Sequence, residues 1–277
     1  MIKNTLILFS FISLIYFIIL KWFPPGLTIP EAPWFKNDLK VSELRSIEDS
    51  RPDLVITGSS YSNILDLSKV DGETINLAFG GHTSLDGIKL LKHHHIIPKK
   101  LLIEVNYANF DTTGWADNLI SGKPQMLRRE YKNRPVVYLT GIAADLVNYN
   151  YIPNSRGGLY IDSAYVLRCI HDIQDTAIQN NFIKDLDGYV KAMKMELQFF
   201  HDEQTEVIFF LMPFNPQLCD EPFFDKIRKA YTNAFNSPGY KFLFYPDCSP
   251  YFTFDGRHLT SAEGLIFLDK LLPQVGE

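Results

Sequence analysis

Three short stretches hold the residue types that acyl transfer requires. The first is Gly58-Ser59-Ser60-Tyr61-Ser62, the second Asn76-Leu77-Ala78-Phe79-Gly80-Gly81-His82-Thr83, and the third Asp255-Gly256-Arg257-His258. A serine hydroxyl is a weak nucleophile until a base takes its proton, and an imidazole, with an ordinary pKa near 6.5, does so at neutral pH. A carboxylate beside the imidazole fixes its tautomer and steadies the imidazolium. The oxyanion that forms on the acyl carbonyl needs N–H donors already in place, each worth on the order of 3 kcal/mol. Ser60 is the candidate nucleophile, His258 the base, Asp255 its orienter and Gly81 an oxyanion donor. A carboxamide donor is available from Asn106 or Asn109, with Asn109 narrowly preferred.

Each block has a plainer reading. Gly-Ser-Ser after a strand also serves as a helix N-cap, and Asp-x-x-His before a helix also arises as turn plus cap. What favours chemistry is the three blocks together and in this order, the first two at the ends of predicted strands, where sites form in open α/β sheets, and the third just before the last helix.

The elements that must carry these residues are legible as short apolar runs. They are Asp53–Gly58, Thr74–Phe79, Lys100–Asn106, Glu206–Met212 and Lys241–Tyr245, rich in Val, Ile, Leu and Phe. Their near-continuous apolarity fits strands covered on both faces, as in a parallel sheet. Helical patterns lie between them: Leu85, Ile88 and Leu91 form one stripe, and Ile183, Leu186, Val190, Met193 and Leu197 another. Thr260-Ser261-Ala262-Glu263 fits a capping box ahead of a last helix, and Ser60 is expected at the N-terminus of a helix that follows the first strand. Strands alternating with helices predict an α/β fold, a three-layer α/β/α sandwich around about five parallel strands. The stretch from about 111 to 178 breaks the alternation and reads as an insertion containing short helices.

In this order, "GSSYS", "NLAFGGHT" and "DGRHLTSAEG" resemble the SGNH (GDSL-type) hydrolase superfamily over roughly residues 50–110 and 205–273. Ser60 matches the family nucleophile, and Ser59 stands where the family has Asp. In the second block Asn76, Gly81 and Thr83 match, Ala78 replaces a glycine, and Gly81 takes the place of the oxyanion donor. The third family block, G-x-N-D, has no glycine here, where the chain reads Glu104-Val105-Asn106-Tyr107-Ala108-Asn109-Phe110. In this it resembles the membrane-anchored branch that includes proteins of alginate O-acetylation and teichoic-acid D-alanylation. The resemblance implies a serine esterase or O-acyltransferase acting on acyl, chiefly acetyl, esters of a cell-envelope polysaccharide, with no cofactor or metal. It also implies a multi-span membrane acyltransferase as partner. The alternative is a catalytically silent SGNH-like subunit that binds glycan or acts as scaffold.

The 277 residues, 46% hydrophobic and 21% charged, allow an ordinary globular core. A net charge of -5 argues against a nucleic-acid binder. Thr5–Leu20 contains no charge, and Lys21-Trp22-Phe23 extends it to about the length of a spanning helix. No small-residue cleavage site follows, so residues 1–23 read as an uncleaved anchor and Pro-rich 24–40 as a juxtamembrane linker to a domain over 41–277. The expected location is a single-pass membrane protein with the domain extracytoplasmic, although Lys21, Lys36 and Lys40 lie on the domain side of the span. Cys169, Cys219 and Cys248 show no C-x-x-C spacing; Cys219 and Cys248 are a candidate pair only in an oxidising compartment. His93-His94-His95 reads as a solvated helix end rather than a metal site, and the basic run from Arg128 to Arg134 as a solvated face.

Overall fold

The computed structural model describes residues 9–14, 33–105, 115–121, 163–178, 186–219, 222–244, 248 and 251–276. The chain forms two compact units. The first comprises Met1–Ser42 and Pro124–Pro153; within it residues 9–14 are helical, with Phe9, Phe11, Ile12 and Leu14 exposed. Among the described residues no helix is long and apolar enough to cross a membrane. The anchor read over 1–23 falls, apart from 9–14, outside the described residues, as does the basic run Arg128–Arg134.

The second unit, Glu43–Lys123 and Asn154–Glu277, contains the sheet. After helix α1 (Pro33–Leu44) come β1 (Leu54–Gly58), β2 (Thr74–Ala78), α2 (Ser84–His93), β3 (Lys100–Glu104), α3 (Trp115–Ser121), α4 (Ser163–Ile178) and α5 (Leu186–Asp202). Then follow β4 (Glu206–Phe210), α6 (Pro216–Cys219), α7 (Pro222–Ala234), β5 (Tyr240–Leu243) and α8 (Ser261–Gly276). All five strands are parallel, in the order β2-β1-β3-β4-β5.

Helices cover the sheet on both faces, and two neighbouring residues of β4 show it. Successive strand side chains point to opposite faces. Phe209 meets Tyr231 of α7 and Phe235 just after it, whereas Phe210 meets Phe267 of α8. That double cover is why β1, with all five residues buried, reads as a continuous apolar run rather than an alternation. Each fully buried Val, Leu, Ile or Phe contributes roughly 2 kcal/mol, so the central strands Val55–Ile56, Leu101–Ile103 and Val207–Phe210 dominate the core. In α5 the buried residues Leu186, Tyr189, Val190, Met193, Leu197 and Phe200 recur at helical spacing and form its inner face.

The register aligns the strand ends that matter. Gly58 pairs with Ala78, and Thr57 with Ile103, so the loops after β1, β2 and β3 leave the sheet side by side. The chain goes from β1 to one neighbour and then crosses to β3 on the other side. That reversal opens a crevice beyond the carboxyl ends of β1 and β3.

Cys219, at the end of α6, is bonded to Cys248, 29 positions later in sequence, with the two Cα atoms 6.2 Å apart. The sequence offered this pair as a candidate, and the fold brings the end of α6 to Cys248. Loop-closure entropy assigns a cross-link of this span about 3.5 kcal/mol. Full reduction is therefore expected to lower the thermal midpoint by roughly 10 °C. A melting curve with and without reductant, thiol content verified, measures it; an unmoved midpoint would show that the bond adds nothing.

Candidate active site

Asp255 and His258 sit at the tip of a small hairpin. Thr253 and Leu259 bridge antiparallel, and the Phe254 N–H donates to the His258 carbonyl at 3.0 Å. Asp255 makes the turn itself: its Oδ1 accepts from the backbone N–H groups of Arg257 (3.0 Å) and His258 (2.8 Å). Gly256 takes φ +82°, and a β-carbon there would lie 2.9 Å from Ile170 of α4. Asp-Gly-Arg-His thus folds locally into a turn that leaves the second carboxylate oxygen free to face the imidazole.

That oxygen, Asp255 Oδ2, lies 2.7 Å from His258 Nδ1, and His258 Nε2 lies 2.8 Å from Ser60 Oγ. A carboxylate only accepts, so Nδ1 carries the proton; in the neutral ring Nε2 is then the acceptor and the Ser60 hydroxyl donates to it. The imidazole is held by the Tyr61 ring at 4.7 Å between centroids and the stacked Phe254 ring at 5.5 Å. Tyr61 in turn meets Phe214 edge-on at 5.3 Å. Burial pushes the Asp255 carboxyl up, but the His258 side-chain hydrogen bond, its charge and the two backbone donors outweigh that and hold it below its ordinary value. Asp255 is therefore ionised at neutral pH.

Ser60 stands in a turn, which departs from the expected helix N-terminus. Two short 3₁₀ turns, Ser62–Ile64 and Leu67–Lys69, follow it in place of an α-helix. The cause is on either side of the loop. Glu104 draws in the backbone and hydroxyl donors of Ser59 and Ser62, and Asn76 Nδ2 donates to the carbonyls of Ser62 (2.9 Å) and Leu65 (2.8 Å), ending the turn. Asn76 belongs to the second sequence block, and here it joins β2 to the serine loop.

Gly81 follows β2 with φ +77°, and nothing lies within 4 Å of where its β-carbon would be. Among the described residues no acceptor takes the N–H of Ser60 or of Gly81. The Gly81 turn is tied down by the residues after it. Thr83 and Asp86 form a capping box at the start of α2, with Asp86 Oδ2 3.0 Å from both Thr83 N and Oγ1. Asp86 Oδ1 accepts from the Ala116 N–H at 3.2 Å, which brings α3 against the turn. There His82 stacks on Trp115, 3.9 Å between centroids. Burial pushes His82 below its ordinary pKa, the Asp86 charge opposing. The capping box expected at Thr260 is half formed: its Oγ1 accepts from Glu263 N–H at 3.3 Å, and no return bond joins the Glu263 side chain to Thr260.

Asn106 and Asn109, the two candidates for the third block, lie outside the described residues. Glu104 and Asp86 belong to none of the three sequence blocks, and the one sequence signal for Glu104 is an acid inside the apolar run Leu-Leu-Ile-Glu-Val. His94 corrects the reading of the histidine run. It is buried, and its Nδ1 lies 2.6 Å from Glu48, a partner 46 residues away. Beside the Asp255 hairpin a groove of about 680 Å³ is lined by Val166, Leu167 and Ile170 of α4, Asn215, Tyr251 and Phe252 among others.

No family model and no curated protein matches the chain. Among solved structures, one from Streptococcus pneumonia, described provisionally as a platelet activating factor, is similar at 12% identity with a TM-score of 0.48, over 96% of this chain and 98% of that one. A likeness that distant says nothing of the chemistry.

Proposed function

We propose that the chain is an SGNH-type serine esterase or O-acyltransferase. One observation carries the reading: Ser60 Oγ, His258 and Asp255 form a continuous hydrogen-bonded relay of 2.8 and 2.7 Å across 198 residues of sequence. In the reaction, Ser60 Oγ attacks the acyl carbonyl and its proton passes to His258 Nε2. The N–H groups of Ser60 and Gly81, which no acceptor among the described residues takes, receive the oxyanion. Collapse expels the alcohol, which takes the proton from His258, and leaves an acyl-serine. Water or a sugar hydroxyl, deprotonated by His258, then attacks the acyl-serine and restores the enzyme.

The finer reading is acetyl transfer or removal on a cell-envelope polysaccharide, with residues 1–23 as anchor, the domain extracytoplasmic and a multi-span acyltransferase as partner. Its supports are the sequence resemblance and the Cys219–Cys248 bond, which persists in oxidising compartments.

A fluorophosphonate probe should label the protein at one site, and Ser60→Ala should abolish labelling. Equal labelling of both proteins overturns the reading. An unlabelled native protein that binds envelope polysaccharide would point instead to the silent glycan-binding subunit.

A further inference from the structure

Glu104 is the last residue of β3 and is 1% exposed. Its carboxylate accepts from four donors, all on the two residues that flank Ser60 and Tyr61. Ser59 gives its N–H at 3.0 Å and its hydroxyl at 2.7 Å; Ser62 gives its N–H at 2.9 Å and its hydroxyl in a short bond. The Glu104 carbonyl accepts from Ser84 Oγ at 2.5 Å, at the first residue of α2 just past the Gly81 turn. One residue therefore ties the serine loop on one side and the start of the helix behind Gly81 on the other.

A buried carboxylate is costly unless fully paired, and a strand end needs no charge to pack. The strands that flank β3, β1 and β4, end in the uncharged Gly58 and Phe210. What the charge does here is consume donors. With the N–H groups of Ser59 and Ser62 turned inward onto Glu104, that of Ser60 alone among these three is left without an acceptor in the described residues. The loop is wrapped so closely that a β-carbon on Gly58 would fall 2.0 Å from Ser62 Oγ and 2.5 Å from Glu104 Oε2. Ser59, standing where an acid is usual in the resembled family, is here a donor to an acid supplied by β3 instead.

We infer that Glu104 is a positioning residue: it pins Ser59 and Ser62 so that the Ser60 hydroxyl meets His258 while the Ser60 N–H faces outward for the oxyanion. This rests on the serine reading above. The acid does not touch substrate. It acts through the loop, so its loss costs rate rather than binding, and a misplacement of about 1 Å costs on the order of 100-fold.

The test is the inactivation of the full chain by a fluorophosphonate, resolved into KI and kinact, for the native protein, Glu104→Gln, Ser62→Ala and the double variant, with circular dichroism and melting alongside. Expected is a fall in kinact of about 10- to 100-fold in each single variant, KI within about twofold, and a double variant no slower than the worse single, because both changes break one network. If Glu104→Gln does not fold, Ser62→Ala, which keeps the backbone bond, decides. A folded Ser62→Ala or Glu104→Gln that inactivates at the native rate overturns the positioning role, as do full additivity and a loss confined to KI. A native protein that does not label overturns the serine reading itself, so the two failures are told apart.

Discussion

Asp255→Asn is expected to slow acylation of Ser60 by about 10⁴-fold, roughly 5.5 kcal/mol of barrier, with little loss of stability. The asparagine oxygen can keep the two turn bonds that Asp255 Oδ1 accepts from Arg257 and His258. Its amide nitrogen then occupies the place of Oδ2, now 2.7 Å from His258 Nδ1, and donates where the carboxylate accepted. The imidazole proton is driven to Nε2, which lies 2.8 Å from Ser60 Oγ and can no longer take the hydroxyl proton. The hairpin survives while the base is lost. His258→Ala removes the base outright and should show a loss of the same order. Turnover of p-nitrophenyl acetate by native and variant proteins of matched melting midpoint measures both. A variant within tenfold of native would remove His258 and Asp255 from the chemistry.

The second large effect is expected at Gly58, where alanine should both destabilise the fold and disable the serine. Its β-carbon would fall 2.0 Å from Ser62 Oγ, 2.5 Å from Glu104 Oε2 and 2.9 Å from Glu104 Cβ. Rotating Ser62 away relieves the first clash only by breaking its bond to a buried carboxylate. Overpacking costs roughly 1–3 kcal/mol and an orphaned buried group a similar amount, so the midpoint should fall by about 10 °C or more. Phosphonylation of whatever remains folded should drop at least about 100-fold, since the loop cannot reseat Ser60. Gly81→Ala is the control. Its backbone is left-handed, at φ +77°, but its β-carbon meets nothing within 4 Å, leaving a strain of only about 1–2 kcal/mol. Should Gly58→Ala melt no lower than Gly81→Ala, the close wrap of the serine loop is not what the packing implies.

The strands were legible because β1, β3 and β4 are covered on both faces and so read as unbroken apolar runs. The helix α2 was legible from Leu85, Ile88 and Leu91, all buried against the sheet side. The chain after Ser60 forms no α-helix, although a Gly-Ser-Ser step has the residue types of a helix cap. Whether it continues helically depends on Glu104 and Asn76, acceptor and donor supplied from other strands. The burial of His94 is illegible for the same reason, its partner Glu48 lying on a segment 46 residues earlier.

Local order therefore determined the strand runs, the turn formed by Asp255 and Gly256, and the candidate roles of Ser60, His258 and Gly81, because period, turn chemistry and side-chain type are properties of neighbouring residues. Only the tertiary structure decided which way Ser60 faces, that Glu104 holds its loop, and that Cys219 meets Cys248. Those are contacts across 198, 45 and 29 residues, and a hydrogen bond or a disulfide depends on distance in space, which spacing along the chain does not encode.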